Sequence, residues 1–387
     1  MKLKVSLNMY KKRREVGLLY EEQNRIFFEY SKDFISQGIE ISPFKLPLKS
    51  GVFEENKYIF NGLFGVFNDS LPDGWGRLLI DRKLCQKGLS FKQITPLMRL
   101  FLTGKNTLGA LEYEPSDESS IINFENINLD SLSGEIKKVL NSDEYLFDEL
   151  RLLNGSSGGA RPKIIANISD DKKKISYGIS SKTDNTSNWI IKFPTNYDLK
   201  NIGEIEYLYS LAAKEAGINM PDTYLFKSKK CKGYFGVKRF DRTDSGKVHV
   251  HTVCGLLHAS HLINSIDYEN ILKLTLILTK DEEQLIEMVR RMVFNVKTFN
   301  CDDHSKNFAF LIDENNKWKL APAYDLTPSA GINGEHTSTV NGKGKDISDN
   351  DLIFVAEQAG VKKSIVLEII YQVEQAILKY KLNQFFR

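Results

Sequence analysis

The sequence lacks the features that mark membrane, secreted and cysteine-based metal proteins. No apolar run approaches the ~20 residues needed to cross a bilayer, and the first twenty residues lack the continuous apolar core of a secretory signal. The only cysteines are Cys85, Cys231, Cys254 and Cys301, far apart and without a CxxC pair. We therefore expect free thiols in a reducing cytoplasm and no membrane partner.

The chain also has little excess charge. Its 53 basic and 50 acidic residues give a formal net charge of +3, too small for an extensive nucleic-acid footprint. One local basic run, KKRR at 11–14, fits either a solvated hairpin turn or a phosphate contact. With 387 residues, 41% hydrophobic and 27% charged, the chain is typical of a globular protein with two or three subdomains.

The N-terminal third predicts a small sheet followed by helices. Apolar residues alternate with polar ones in Lys4–Asn8, Val16–Tyr20 and Arg25–Tyr30, with a turn at Glu21–Asn24. Apolar spacing predicts helices from Trp75 to about Leu84 and from about Phe91 to Leu102. The polar stretch Glu114–Asp130 then predicts a linker to a second subdomain.

The most informative segment is Asn300–Ser329, NCDDHSKNFAFLIDENNKWKLAPAYDLTPS. Asp302 and Asn307 are five positions apart, the spacing between the base Asp and the metal-binding Asn of a kinase catalytic loop. Asp and Asn are also ordinary turn formers, so the spacing alone does not require chemistry. A structural metal site at Cys301–His304 is disfavoured, since consecutive side chains cannot all point at one ion.

A hairpin should follow this loop. Asn307–Asp313 and Lys317–Ala321 alternate as strands around the polar turn Glu314–Asn316, so the chain should return to its origin. This would place Asp325 beside Asn307. Two oxygen ligands at that distance suit Mg²⁺, which is usually bound by one or two carboxylates together with substrate phosphates.

Further candidates precede this segment. A glycine-rich stretch, LNGSSGGARPK at 153–163, would let the backbone approach a phosphate closely, although such stretches are usually flexible connections. The apolar strand Trp189–Pro194 carries one charge, Lys192, which by itself would simply reach the surface. Glu206 lies near the start of a helix that should end at Gly217. The strand Gly233–Arg242 then offers a backbone that could bind adenine.

The remaining chain is mainly helical. Apolar residues from Leu285 to Val296 line one helix face that ends just before the catalytic segment, and a final amphipathic helix covers about Ser364–Tyr380. His249 and His251 alternate on a strand. Because no third ligand follows at suitable spacing, we interpret them as ordinary polar residues rather than a metal site.

Taken in order, these motifs resemble the HipA family of serine/threonine kinases, the toxins of bacterial HipBA-type toxin–antitoxin modules. The resemblance covers nearly the whole chain and rests on GSSGGARPK at 155–163, WIIKFP at 189–194, VKRFDR at 237–242, DDHSKNFAF at 302–310 and PAYDLTPS at 322–329. It implies an α+β, bilobal, protein-kinase-like fold. The implied domains are an N-terminal β-rich subdomain at 1–113, a small lobe at 114–245 and a helical catalytic lobe at 246–387.

The resemblance also implies roles for individual residues. Asp302 would be the catalytic base, assisted by His304 and Lys306, while Asn307 and Asp325 would hold Mg²⁺. Lys192 would grip the ATP phosphates, and the backbone around Lys238 and Phe240 would bind adenine. The implied ATP-binding residues are Gly155, Ser156, Ser157, Gly158, Gly159, Ala160, Lys163, Lys192, Glu206, Lys238, Phe240 and Tyr324. Ser156 or the adjacent Ser157 would be the site of inhibitory autophosphorylation.

The implied partners are a protein substrate and a small DNA-binding antitoxin of the HipB type, through which contact with DNA would be indirect. Substrates in the family include aminoacyl-tRNA synthetases, whose phosphorylation stops translation and growth. Two other functions stay open. One is a small-molecule or lipid kinase, since the same lobes serve enzymes that phosphorylate alcohols. The other is a kinase-shaped corepressor that only binds.

Overall fold

The computed structural model describes residues 1–55, 59–117, 125–140, 150, 161–177, 185–259 and 266–386. Its contacts divide the chain into two compact units, Met1–Glu204 with Thr223–Val250 and Ile205–Asp222 with His251–Arg387. Helices and strands are mixed, which confirms the predicted α+β class. The division into three domains at residues 113 and 245 stays a prediction. No helix of the described residues is long and apolar enough to cross a membrane.

The N-terminal part of the first unit is an antiparallel sheet of order β4-β3-β2-β1-β5. Its strands are β1 Lys2–Met9, β2 Lys12–Glu22, β3 Arg25–Tyr30, β4 Val52–Glu54 and β5 Leu111–Glu114. The side chains of Leu3, Val5 and Leu7 are fully buried, as expected when one face of a strand covers a core. The three predicted strands are confirmed. The turn between β2 and β3, predicted at Glu21–Asn24, consists of Gln23 and Asn24, both at positive φ.

Four helices accompany this sheet: α1 Lys32–Ser36, α2 Gly65–Asn68, α3 Gly74–Gln86 and α4 Pro96–Thr103. The helix predicted from Trp75 is confirmed. The helix predicted from Phe91 is wrong at its beginning, because Phe91–Gln93 form a separate 3₁₀ turn. Helix α4 begins at Pro96, where the missing amide proton costs no helical hydrogen bond, and the Thr95 hydroxyl accepts from the Met98 amide.

The first unit contains a second antiparallel sheet, of order β7-β6-β8-β10-β9. Its strands are β6 Lys163–Ser169, β7 Ile175–Ser176, β8 Thr186–Lys192, β9 Thr223–Phe226 and β10 Tyr234–Lys238. Helix α5, Leu129–Leu140, contributes Ile136 and Val139 to a core shared with Trp189 and Ile191.

Two predicted strands of this sheet have different limits. The strand predicted at 189–194 ends at Lys192, since Pro194 cannot donate to a ladder. The strand predicted at 233–242 ends at Lys238. Beyond it lies a short hairpin of β11, Arg242–Thr243, and β12, Gly246–Lys247.

The second unit is mainly helical. Its helices are α6 Ile202–Glu215, which begins at the unit boundary, α7 Val253–Leu257, α8 Tyr268–Thr279, α9 Glu282–Lys297, α10 Asp349–Gln358 and α11 Lys363–Lys379. A small sheet of order β13-β14-β15 combines Val250–Thr252, Ala309–Ile312 and Trp318–Leu320. Leu285, Met288 and Val289 of α9 are at most 3% exposed, which confirms the predicted buried face.

Candidate active site

The segment Asn300–Ser329 leaves the end of α9 and returns to the same point. Asn300 and Ser329 form a parallel bridge. The Cys301 amide donates to the Ser329 carbonyl at 3.2 Å, and the Ser329 amide donates to the Phe299 carbonyl at 2.9 Å. These bonds close the segment into a loop, so the predicted return of the chain to its origin is confirmed.

The predicted hairpin within this loop is also present. Strands β14 and β15 pair in the register Phe310 to Leu320. The Asp313 amide donates to the Lys317 carbonyl at 2.9 Å, and Asn316 adopts φ +59°, which Asn tolerates better than most residues. The first strand was predicted to begin at Asn307, and this limit is wrong. Asn307 instead ends a 3₁₀ turn, Ser305–Asn307, that precedes the strand.

Asp302 and Asn307 lie together at the start of the loop. The Asn307 side-chain amide Nδ2 donates to the Asp302 carbonyl oxygen at 2.7 Å. With Nδ2 bound in this way, Asn307 presents its Oδ1 as the atom for another contact. The Asp302 side chain is 63% exposed, so its carboxylate is accessible to a substrate hydroxyl.

His304 and Lys306, the two side chains predicted to assist catalysis, belong to the same loop. His304 Nε2 lies 3.9 Å from Asp302 Oδ1, close enough for attraction when the imidazole is protonated. Lys306 is half-buried, and its carbonyl accepts a hydrogen bond from the Tyr324 hydroxyl at 2.6 Å. This bond connects the residue before Asn307 with the residue before Asp325.

Asp325 has an unusual backbone. Its φ of +57° lies in the left-handed region, which costs a non-glycine residue roughly 1–3 kcal/mol. The neighbouring chain is fixed, because the Ala323 amide donates to the Asn219 carbonyl at 2.8 Å and Leu326 is buried. The position of Asp325 beside Asn307 stays a prediction, and its left-handed backbone and half-buried side chain are the observations that the structure adds.

Residue Asp303, which sequence reasoning passed over, points away from Asp302. Its carboxylate is completely buried and accepts hydrogen bonds from the Tyr268 hydroxyl at 2.8 Å and His336 Nδ1 at 2.9 Å. Asp302 is exposed while Asp303 is buried, so the two do not face one ion. The only sequence feature that singles out Asp303 is its position next to Asp302. Its partners Tyr268 and His336 are each more than 30 positions away, so spacing could not pair them with it.

The first unit places two predicted phosphate-binding lysines opposite each other. Lys163 of β6 and Lys192 of β8 are direct partners across the antiparallel ladder, so their side chains leave the same face. Lys163 is 3% exposed, and Lys192 Nζ lies 5.7 Å from the centre of the Phe235 ring. The sheet therefore carries both lysines that the sequence predicted for phosphate binding on one face.

The predicted adenine-binding backbone is next to a buried charge cluster. Lys238 ends β10 and Phe240 is half-buried beyond it. The intervening Arg239 donates to Asp241 twice, from Nε to Oδ1 at 2.9 Å and from Nη2 to Oδ2 at 2.7 Å. Arg242 Nη1 donates to the same carboxylate at 2.8 Å, and so does the Gly109 amide at 2.7 Å.

This cluster connects the two sheets of the first unit. Arg239 and Arg242 both donate to the Thr107 carbonyl in the turn before β5, at 3.0 and 2.7 Å. Burial opposes ionisation of Asp241, yet the two arginines hold the pKa of its carboxyl well below the ordinary value. Burial lowers the pKa of Lys247 to about 8 despite its bond of 2.8 Å to Glu112. The backbone after β10 is therefore anchored to the N-terminal sheet.

Some predicted site residues are not placed together here. Glu206 is buried on α6 in the second unit, whereas Lys192 belongs to the first, and their ion pair stays a prediction. The loop residues Gly155, Ser156, Ser157, Gly158, Gly159 and Ala160 lie outside the described residues. His249 contacts a backbone carbonyl, that of Ile41, with its Nε2 at 3.0 Å.

The donor atoms of the loop fit Mg²⁺ better than a metal bound by protein alone. Among the described residues, no group of three or more His, Cys, Asp and Glu side chains could hold a metal ion. Asn307 and Asp325 offer amide and carboxylate oxygens, the hard ligands that Mg²⁺ takes when phosphates and water complete its coordination. The residues present therefore fit a nucleotide-bound Mg²⁺.

Comparison with known proteins shows the family to which the chain belongs. The family model of the HipA N-terminal domain matches residues 7–114, and that of the HipA-like C-terminal domain matches residues 155–380. "Putative kinase Y4dM" of Sinorhizobium fredii is 24% identical over 329 residues, which are 79% of this chain and 75% of that protein. A "Putative kinase" of Haemophilus influenzae is 27% identical over 185 residues, 44% of this chain and 52% of that protein.

A solved structure shares the fold. It is the complex of the Shewanella oneidensis toxin–antitoxin system HipA, HipB and its operator DNA. The match has a TM-score of 0.71 at 17% identity and covers 98% of this chain and 91% of that chain. The fold is thus the kinase-like fold that the sequence predicted. The C-terminal domain model alone matches more than half of the sequence, and the chain belongs to the HipA family.

Proposed function

We propose that this protein is an ATP- and Mg²⁺-dependent serine/threonine protein kinase that arrests growth by phosphorylating a host protein. One observation carries the proposal. Asn307 donates to the Asp302 carbonyl at 2.7 Å, and Tyr324 donates to the Lys306 carbonyl at 2.6 Å. These two bonds support a loop in which Asp302 would be the base and Asn307 and Asp325 would be the metal ligands. That combination is the set of parts that phosphoryl transfer requires.

In the proposed reaction, a serine or threonine hydroxyl of the substrate attacks the γ-phosphorus of ATP. The bond between the γ-phosphorus and the bridging oxygen breaks, ADP leaves, and the exposed Asp302 carboxylate accepts the hydroxyl proton. His304 and Lys306 would stabilise the negative charge that develops on the transferred phosphoryl group. The role of the loop is mainly positioning and electrostatics.

Asn307 and Asp325 would hold Mg²⁺ on the phosphates. Bound Mg²⁺ neutralises charge on the phosphate oxygens during transfer. The protein contributes the orientation of its two ligands: the bond from Nδ2 to Asp302 directs Asn307 Oδ1, and the left-handed backbone directs the Asp325 carboxylate. Both ligands are half-buried, which limits competition from bulk water.

The opposed lysines of β6 and β8 would bind the nucleotide phosphates. Two lysines on one face of the sheet would give that face positive charge, which attracts phosphate. The backbone around Lys238 and Phe240 would bind adenine, and Glu206 would pair with Lys192 as in other kinases. Gly155–Ala160 would cover the phosphates with backbone amides.

Ser156, or the adjacent Ser157, would be the site of self-inhibition. A phosphate there adds nearly two negative charges to a loop built to face the phosphates of ATP. The loop would then leave its position and ATP binding would fail. Phosphopeptide mapping of active protein checks this point, and finding both serines unmodified would remove it.

The proposed partners follow from the family. A small DNA-binding antitoxin of the HipB type would bind the protein and bring it to operator DNA, so contact with DNA would be mainly indirect. The solved Shewanella complex, which contains HipA, HipB and operator DNA, supports this arrangement. The protein substrate would be a component of translation such as an aminoacyl-tRNA synthetase.

The test is mass analysis of wild-type protein and Asp302→Ala after incubation with ATP and Mg²⁺, alone and with a cell lysate. We expect phosphate on protein with the wild type only. Phosphate on a metabolite instead of a protein would favour a small-molecule kinase. Binding of ATP without any transfer would favour a corepressor that acts by binding.

A further inference from the structure

The exposed side chain of Asp302 stands between two buried residues. The Asp302 side chain is 63% exposed. Its two chain neighbours are in the opposite situation, because Cys301 is 3% exposed and Asp303 is completely buried. The contacts that hold residues 301 and 303 therefore help to position the backbone that carries the Asp302 carboxylate.

The same short segment, residues 336–338, holds both neighbours. On the first side, the Cys301 carbonyl accepts from the Thr337 amide at 3.0 Å and from the Thr337 hydroxyl at 3.1 Å. On the second side, the Asp303 carbonyl accepts from the Ser338 hydroxyl at 2.6 Å. The backbone on either side of Asp302 is thus bonded to consecutive residues.

The Asp303 carboxylate adds four more bonds. Its Oδ1 accepts from the Thr337 amide at 2.9 Å and the Ser338 amide at 3.2 Å. Its Oδ2 accepts from the Tyr268 hydroxyl at 2.8 Å and from His336 Nδ1 at 2.9 Å. Burial acts to lower the pKa of His336, but the bonds to Asp303 and Cys301 raise it to about 9, so the imidazole carries a charge opposite the carboxylate at neutral pH.

The arrangement continues into the helix before the loop. The Tyr268 hydroxyl accepts from Asn295 Nδ2 at 2.9 Å, and Asn295 Oδ1 accepts from Asn300 Nδ2 at 2.9 Å. Asn300 is the residue at which the catalytic segment begins. Because each buried charge requires its partner in one place, this ion pair also fixes the geometry of the segment around it.

We propose that His336, Thr337 and Ser338, together with Tyr268, form a positioning clamp that holds the peptide unit before Asp302 and the residue after it, Asp303, and so directs the Asp302 carboxylate at the substrate hydroxyl. None of the four touches the reacting atoms in this role. They act through Cys301 and Asp303. The inference rests on the proposed kinase activity, in which Asp302 is the base.

The clamp has side-chain bonds that can be removed almost without changing shape. Thr337→Val deletes the hydroxyl bonded to Cys301, and Ser338→Ala deletes the hydroxyl bonded to the Asp303 carbonyl. Thr337→Ser keeps the hydroxyl and serves as the conservative rescue. Val373→Ala, in the buried face of α11, is the control for general destabilisation of the same unit.

Two readouts are needed for the Thr337→Val, Ser338→Ala double variant. The first is amide hydrogen exchange in the peptide covering residues 302–308, which includes the Asn307 amide bonded to the His304 carbonyl at 2.8 Å. The second is turnover of ATP with Mg²⁺, followed as ADP release. With two hydrogen bonds lost, we expect exchange to rise and kcat to fall by about tenfold or more, with the KM for ATP within about twofold.

Thr337→Ser should match the wild type in both readouts, and Val373→Ala should leave kcat unchanged below its own melting temperature. Exchange and kcat at wild-type levels in the double variant would overturn the clamp, as would an equal fall of kcat in Val373→Ala. A wild type that releases no ADP would count against the proposed kinase function. In that case the exchange of the 302–308 peptide alone decides whether the clamp holds the loop.

Discussion

Lys163 and Lys192 face each other as direct partners on two neighbouring antiparallel strands. Lys163 is almost completely buried. In the proposed function, the phosphate groups of ATP bind beside the two lysines. This relationship provides a test of nucleotide binding that does not depend on catalysis.

We expect Lys163→Met to weaken binding of Mg²⁺–ATP by about tenfold or more, because a charged hydrogen bond is worth roughly 1.5–3 kcal/mol. The same variant should stay folded without ligand, since methionine keeps most of the apolar stem of the lysine side chain. Titration calorimetry and thermal melting measure the two effects. Lys173→Met, on the exposed turn between β6 and β7, is the matched control. Unchanged ATP affinity in Lys163→Met would remove this lysine from the phosphate site.

The Asp325 carboxylate can be tested as a metal ligand. Asp325→Asn keeps the size of the side chain and still tolerates a positive φ, but it removes the charge. We expect kcat to fall by about 10²-fold or more, the usual effect of losing one group that stabilises the transition state. Raising the Mg²⁺ concentration should recover part of the activity. Glu357→Gln, an exposed carboxylate on α10, should have no effect.

The buried cluster around Asp241 predicts a large effect on stability. Asp241→Asn would leave the guanidinium groups of Arg239 and Arg242 buried without their counter-charge. We expect the free energy of unfolding of the first unit to fall by about 3–5 kcal/mol. Chemical denaturation followed by tryptophan fluorescence measures this. Asp244→Asn, in the exposed turn of the neighbouring hairpin, should change it by less than about 0.5 kcal/mol. A similar small change for both variants would contradict the role of the cluster.

The Asp303–His336 pair predicts how stability depends on pH. The pKa of His336 is raised from 6.5 to about 9, so the folded state binds a proton that the unfolded state releases between these values. The contribution to stability is therefore complete below about pH 6.5 and is lost as the pH rises through 9, on the order of 3 kcal/mol in total. We expect the difference in melting temperature between wild type and His336→Asn to shrink over that range.

Lys247 is also partly buried, and its ionisation changes stability with pH in the opposite direction. Its effect therefore has to be separated from that of His336. The pKa of Lys247 is lowered from 10.5 to about 8, so its burial is less costly as the pH rises from 8 to 10.5. The comparison of wild type with His336→Asn cancels this contribution, since Lys247 is present in both. A difference that stays constant from pH 6 to 9.5 would contradict the assignment of a raised pKa to His336.

Local pattern was sufficient for much of the fold. The alternation in Lys4–Asn8 and Arg25–Tyr30 predicted strands that the structure contains, because burying one face of a sheet requires period two. The turn at 314–316 predicted the hairpin of β14 and β15 within the segment 300–329. Helix and strand limits were less well predicted where a cap or a proline decides them, as at Thr95 and Pro194.

The sequence by itself determined the order of the chemical groups: the five-residue spacing of Asp302 and Asn307, and the Asp325 that follows the hairpin. These are short-range relationships, and a few residues of chain fix them. Only the tertiary structure decided that Asp303 is buried against Tyr268 and His336, and that Arg239, Asp241 and Arg242 bind the turn at Thr107. Those contacts join residues 33 to 135 positions apart, and they depend on which buried charges find partners after the core has packed.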